Sequence, residues 1–114
     1  MPDFGNPFSG LRSNRPLSQE ELIRVLRFFV AAEYEAVQLY TQALESTPDE
    51  RAKKLFKSIA DEEIVHAGEF MKLLTELAPD EAKLYQKGFQ EAAVLISVPN
   101  VIRKLASYEN KDLS

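Results

Sequence analysis

Phe56, Ile59, Glu63, His66, Phe70, Leu73 and Leu77 follow one another at steps of 3, 4, 3, 4, 3 and 4 residues. That period holds side chains on one face of an α-helix and draws the seam of a helical bundle. On a strand, the same residues would scatter over both faces. The stripe therefore predicts a long helix. Its start falls in "STPDE", where Thr47 is expected to cap, Pro48 to take the first helical position and Glu50 to close a capping box. Its end is expected at about Ala78, before Pro79. Two members of the stripe, Glu63 and His66, are polar, and the period turns both inward.

A second long run precedes it. "SQEE" reads as a capping box with Ser18 as N-cap and Glu21 at the third helical position. Beyond it Leu22, Leu26, Phe29, Glu33, Ala36 and Tyr40 recur at helical spacing, widened by Ile23, Val30, Val37 and Leu44. No proline or glycine interrupts residues 17–47. A third, shorter helix is expected from about Asp80 to Ser97, with Leu84, Tyr85, Phe89 and Leu95 as its apolar face, and Pro99 breaks it. The expected fold is all-α: two long antiparallel helices plus a short C-terminal helix, dimerising into a four-helix bundle. In domain terms, 1–17 is a Pro- and Gly-rich arm whose Phe4, Phe8 and Leu11 are available to dock on a neighbour. Residues 18–98 form the helical hairpin with its third helix, and 99–114 form a tail with one or two helical turns.

Composition narrows the chemistry. The 114 residues contain no cysteine, which excludes disulfides, thiolate zinc sites and iron–sulfur clusters. A net charge of -4 argues against nucleic acid as a partner and suits a chain that attracts cations. No apolar run approaches the ~20 residues that cross a bilayer, and no export signal is visible, so a cytoplasmic protein without a membrane partner is expected.

Two helices joined by so short a connection are antiparallel neighbours. With the turn near Thr47, Glu33 lies fourteen residues before it and Glu63 sixteen after. At ~1.5 Å per residue these are ~21 and ~24 Å from the turn, so the two carboxylates share one height. His66 joins them one helical turn from Glu63, and Tyr40 stands about two turns along from Glu33. Burying an unpaired carboxylate costs several kcal/mol, and neither seam carries a lysine or arginine. A metal ion removes the difficulty, since Glu-x-x-His at i and i+3 lets both side chains reach one ion. Oxygen and nitrogen donors without sulfur suit iron or manganese, with zinc tolerated.

His66 alone reads as an ordinary core or interface histidine, and Tyr40 alone as a bundle-core tyrosine; three inward polar groups at one height favour metal. Asp61, Glu62 and Glu69 read as a solvated acidic flank, the latter two near enough to the stripe to hold a partner's imidazole or guide cations. Phe28 and Phe29 are core or interface residues. A di-iron carboxylate bundle uses one Glu from each of two helices and Glu-x-x-His from each of two others. This chain holds half of that set. Either it forms a poor mononuclear site, or a two-fold axis brings a second copy to complete it.

"EYEAVQLY" at 33–40 with "DEEIVHAGEF" at 61–70 resembles the encapsulated ferritins, short ferritin-like proteins housed in encapsulin nanocompartments. "NRPLSQEEL" and "MKLLTELAPDEAKLYQKGFQEA" resemble the archaeal members joined to a shell protein, and the likeness covers residues 12–95. The resemblance implies a dimer forming a four-helix ferritin-like unit, dimers closing into a ring-shaped decamer, and location inside an encapsulin compartment. It also implies a ferroxidase centre at the dimer interface, where iron(II) is oxidised with dioxygen. Glu33, Glu63 and His66 of each chain are the implied ligands of two irons per dimer, replaceable by other divalent metals, with Tyr40 nearby. Glu35 matches a carboxylate that helps metal enter. Ala32 stands where that family places a second entry carboxylate, Leu39 where tryptophan is common, and "LASYENKDLS" departs from the Gly-containing, apolar targeting peptide of free cargo members. A rubrerythrin-like di-iron peroxidase, with an external electron donor, and a helical assembly module locked by metal are the alternative functions.

Overall fold

The computed structural model describes residues 12–96, and these contain three helices and no strand: α1, Gln19–Ser46; α2, Glu50–Leu77; and α3, Pro79–Ile96. Phe4, Phe8 and Leu11 of the arm, and the tail from 97 onward with its expected turns, lie outside the described residues.

The N-terminus of α1 is the expected capping box. The Ser18 hydroxyl accepts from the Glu21 amide at 3.1 Å, and the Glu21 carboxylate accepts from the Ser18 amide at 2.9 Å. Arg15 adds two charge-assisted bonds to the same carboxylate, at 2.7 and 2.8 Å. That guanidinium first, and the Ser18 amide second, hold the Glu21 carboxyl down to about 2.

The start of α2 differs from the expectation. Asp49, not Thr47, is the N-cap: its Oδ1 accepts from the amides of Arg51 and Ala52 at 2.8 and 3.3 Å. Pro48 stays in the connection, and Glu50 is the first helical residue instead of the partner in a second capping box. Thr47 is already spent as the C-cap of α1, in extended conformation, and its hydroxyl accepts from the Asp49 amide at 3.2 Å. A carboxylate at the following turn is the stronger acceptor for orphan helix amides, and Arg51 pins it in place.

A connection of three residues, Thr47 to Asp49, folds α2 back along α1. At the far end, Gln19 Nε2 donates to the Leu77 carbonyl at 3.3 Å, so the two 28-residue helices run antiparallel over their whole length. Their shared core consists of Leu26 and Val30 from α1 and Ala60, Ala67 and Leu74 from α2. The last three stand seven residues apart, on one line of the α2 surface. The stripe read from the sequence is therefore not the line of closest contact. It lies on the adjoining flank, where Phe56, Ile59, Glu63, Phe70 and Leu77 are partly covered while His66 and Leu73 are exposed. Phe29 and Leu39 of α1 and Leu55 of α2 are exposed as well.

The second unit is α3. It begins at Pro79, one residue earlier than expected, because proline's missing amide and fixed φ suit a first helical turn. Asp80 and Glu81 follow, favourably placed against the helix dipole. None of its residues is buried, and Leu84, Phe89 and Leu95 are exposed. The Tyr85 hydroxyl donates to Glu81 one turn back.

Candidate metal centre

α1 and α2 bring Glu33, Glu63 and His66 together at mid-height of the hairpin. One ligand atom from each lies within 4.8 Å of the other two. His66 Nδ1 stands 3.5 Å from Glu63 Oε1 and 3.7 Å from Glu33 Oε2, too far for hydrogen bonds and well placed around a shared cation. The local cause is simple. Glu63 and His66 are three residues apart on one helix, and Glu33 meets them from the antiparallel neighbour.

Burial divides the three. The side chains of Glu33 and Glu63 are only 16% and 18% exposed, whereas His66 is 47% exposed. The expectation that Glu63 and His66 both face inward is thus half met within one chain: the carboxylate is covered and the imidazole opens onto the apolar flank. Glu33 Oε2 is shut off from solvent and has no hydrogen-bond partner. Such an orphan acceptor costs ~1–3 kcal/mol. The Glu33 carboxyl is pushed above its ordinary value, first by a hydrogen bond with Glu63, then by burial and by the negative charge of Glu63; His66 pulls the other way.

Among the described residues, no lysine or arginine is shown within ion-pair reach of either carboxylate, and His66 is the nitrogen-bearing side chain beside both. A metal ion fits what is present: two covered carboxylates, one imidazole nitrogen aimed at both, and an acceptor oxygen without a donor. The donors suit iron or manganese, with zinc tolerated. Three ligand atoms leave an ion under-coordinated, and the open side of the site is the side on which His66 and the exposed apolar residues lie.

The other residues singled out by sequence do not join this cluster. Tyr40 is half-buried on α1, seven residues and about 10 Å beyond Glu33. Glu35 is half-buried, two residues from Glu33 and so turned away from it around the helix. Asp61 is tied to Lys57 by contacts of 2.7 and 2.8 Å, and Glu62 and Glu69 are exposed. Two residues that the sequence places on the stripes, Phe29 as core or interface and Phe70 beside His66, meet each other near the site, a pairing not drawn from the sequence. Phe29 and Phe70 form an aromatic pair with ring centroids 5.2 Å apart and planes inclined at 51°. The signal was available, since Phe29 precedes Glu33 by four residues and Phe70 follows His66 by four.

Comparison with known proteins places these features in a family. The rubrerythrin pattern matches residues 25–114. A ferritin-like–encapsulin shell fusion protein of Pyrococcus furiosus is 35% identical over 88 residues, which are 77% of this chain and 26% of that protein. The chain thus spans about a quarter of the length of that relative. The encapsulin nanocompartment cargo protein EncC of Myxococcus xanthus is 32% identical over 92 residues, covering 81% of this chain and 70% of that one. The crystal structure of the encapsulated ferritin domain from Pyrococcus furiosus superposes with a TM-score of 0.74 at 36% identity, over 81% of this chain and 93% of that domain.

Proposed function

The chain belongs to the rubrerythrin family of ferritin-like proteins, and from that premise we propose that it is an encapsulated ferritin: a ferroxidase that oxidises iron(II) at a di-iron site shared between two copies. One observation carries the reading. A half-set of ligands, Glu33, Glu63 and His66, surrounds an orphaned carboxylate oxygen and opens onto an exposed apolar flank. A two-fold axis beside that flank joins two half-sets into four carboxylates and two imidazoles, the donor complement of a di-iron carboxylate bundle.

Iron(II) is the substrate, and it supplies the electrons that dioxygen accepts. The chain's own work is electrostatic and positional. Glu33 and Glu63 provide the negative charge that draws in the cation, and because the Glu33 carboxyl is raised by Glu63 and by burial, the cation competes with its proton. His66 would offer Nδ1, the nitrogen turned toward both carboxylates. Tyr40 stands farther along the same seam, and Glu35 is the family-matched residue for metal entry. Dimers closing into a ring-shaped decamer, enclosed by an encapsulin shell that retains the iron(III) product for storage or detoxification, complete the reading. The names of the two curated relatives support the shell. Among the described residues no helix is long and apolar enough to cross a membrane.

The test loads iron(II) without oxygen, admits air, and follows iron(III) absorbance beside a Glu33→Ala variant, with both proteins sized by chromatography. The expected result is oxidation faster than in buffer for the native chain, lost in the variant at unchanged oligomer size. Oxidation no faster than in buffer, or a native protein that stays monomeric with iron present, defeats the ferroxidase reading.

A further inference from the structure

The Phe29–Phe70 pair lies where it controls what reaches the metal centre. Phe29 is four residues N-terminal to Glu33 on α1, and Phe70 is four residues C-terminal to His66 on α2. Because the helices are antiparallel, both steps go the same way, and the rings meet across the seam at 5.2 Å between centroids. They thus stand one helical turn from the carboxylates, toward the Gln19–Leu77 end of the hairpin.

Side chains on a helix lean toward its N-terminus. On α1 that direction lays the Glu33 side chain over the turn that holds Phe29, and on α2 it lays Phe70 over the turn that holds His66. The ring pair therefore borders the cluster on both helices, and Glu33, one turn from Phe29, owns the oxygen that is closed to solvent without a donor. Two aromatic rings exclude water and offer no hydrogen-bond donor, which are the surroundings such an oxygen requires. Phe29 remains exposed within one chain, on the flank that the second copy covers in the reading above.

We propose that Phe29 and Phe70 are positioning residues that form a water-excluding end wall of the metal centre, holding Glu33 dry and closing that end to solvent ligands. The inference rests on the metal-binding reading of Glu33, Glu63 and His66. In a dimer whose two-fold axis crosses the helices at right angles, the partner's pair closes the opposite end, so ions and dioxygen reach the site from the side and not along the seam.

The test uses cobalt(II), added without oxygen to the full-length protein, because the visible absorbance of each bound ion falls as water ligands raise its coordination number. Phe29→Ala and Phe70→Ala are compared with Phe29→Leu and Phe70→Leu, which keep an apolar side chain. Leu73→Ala, on the same exposed flank but one turn farther out, reports a merely structural loss. The wall predicts that the alanine variants bind as many ions as the native chain, with a loss of about twofold or more in absorbance per ion. The leucine variants recover most of that absorbance, and Leu73→Ala leaves it unchanged. Native spectra in both alanine variants, or an equal loss in Leu73→Ala, overturn the end wall while leaving the metal site standing. Absence of cobalt binding by the native chain removes the metal site itself, and the end wall with it. Alanine variants too unstable to bind shift the decision to the leucine pair with Phe29→Val, in which graded absorbance supports the wall and native absorbance refutes it.

Discussion

Replacing Glu33 by glutamine is expected to stabilise the metal-free protein while abolishing its stabilisation by metal. Ligand atoms of Glu33 and Glu63 lie within 4.8 Å of one another, and both side chains are more than four-fifths covered. Two unit charges at that separation repel by ~1 kcal/mol in a water-like medium and ~3.5 kcal/mol at an effective dielectric near 20. Glutamine keeps the shape, removes one charge, and provides an amide donor where an oxygen now has no partner. A gain of ~1–3 kcal/mol follows, spread between those limits. The assay is urea unfolding in chelator at one fixed protein concentration, since an oligomer's apparent stability depends on concentration.

The pH dependence carries its own sign. The Glu33 carboxyl is raised in the folded state, so the folded protein holds the proton more tightly than the unfolded chain. Its contribution is fully present below the ordinary glutamate value and is lost as pH rises through the raised one. Native apo-protein should therefore lose stability across that interval, and Glu33→Gln should flatten the slope. With metal at a hundredfold excess over its dissociation constant, the native chain gains ~2.7 kcal/mol that the variant does not. A variant less stable than native in chelator, or one stabilised equally by metal, refutes the argument that these carboxylates are held in repulsion for a cation.

Two further substitutions probe the hairpin itself. Ser18→Ala removes the hydroxyl that accepts the Glu21 amide and is expected to cost ~1 kcal/mol in urea unfolding; no change would mean that the Arg15–Glu21 pair alone holds the helix start. Gly68 stands mid-helix and exposed, and a methyl group there meets nothing within 4 Å, so Gly68→Ala should stabilise by up to ~1 kcal/mol at unchanged oligomer size. Destabilisation or a smaller assembly would instead place another chain against that glycine.

Much of this molecule is legible without coordinates because helical period and a short connection together set a register. Once 47–49 is the turn, Gln19 falls opposite Leu77 and Glu33 opposite Glu63, with His66 and Phe70 one and two turns farther along α2. The contacts of Gln19 with Leu77, Glu33 with His66 and Phe29 with Phe70 follow. Glu33, Glu63 and His66 were therefore readable as one cluster from spacing alone. The cap of α2 was not. Thr47, Asp49 and Glu50 all suit a helix start, and the choice fell to Asp49 only because Thr47 had already ended α1.

The sequence by itself determined the three helices of the described residues, the pairing of α1 with α2, and which polar groups share a height, since these follow from chain geometry. Only the tertiary structure decided which apolar flank forms the hairpin's own core. Hydrophobic period marks a broad arc of α2, and within it Ala60, Ala67 and Leu74 are the buried residues, so the core line runs through them. The larger side chains beside that line stay partly open, and His66 opens with them. An orphaned carboxylate oxygen likewise has no signature in a sequence, because burial and the absence of a donor belong to the packed arrangement and not to any residue in it.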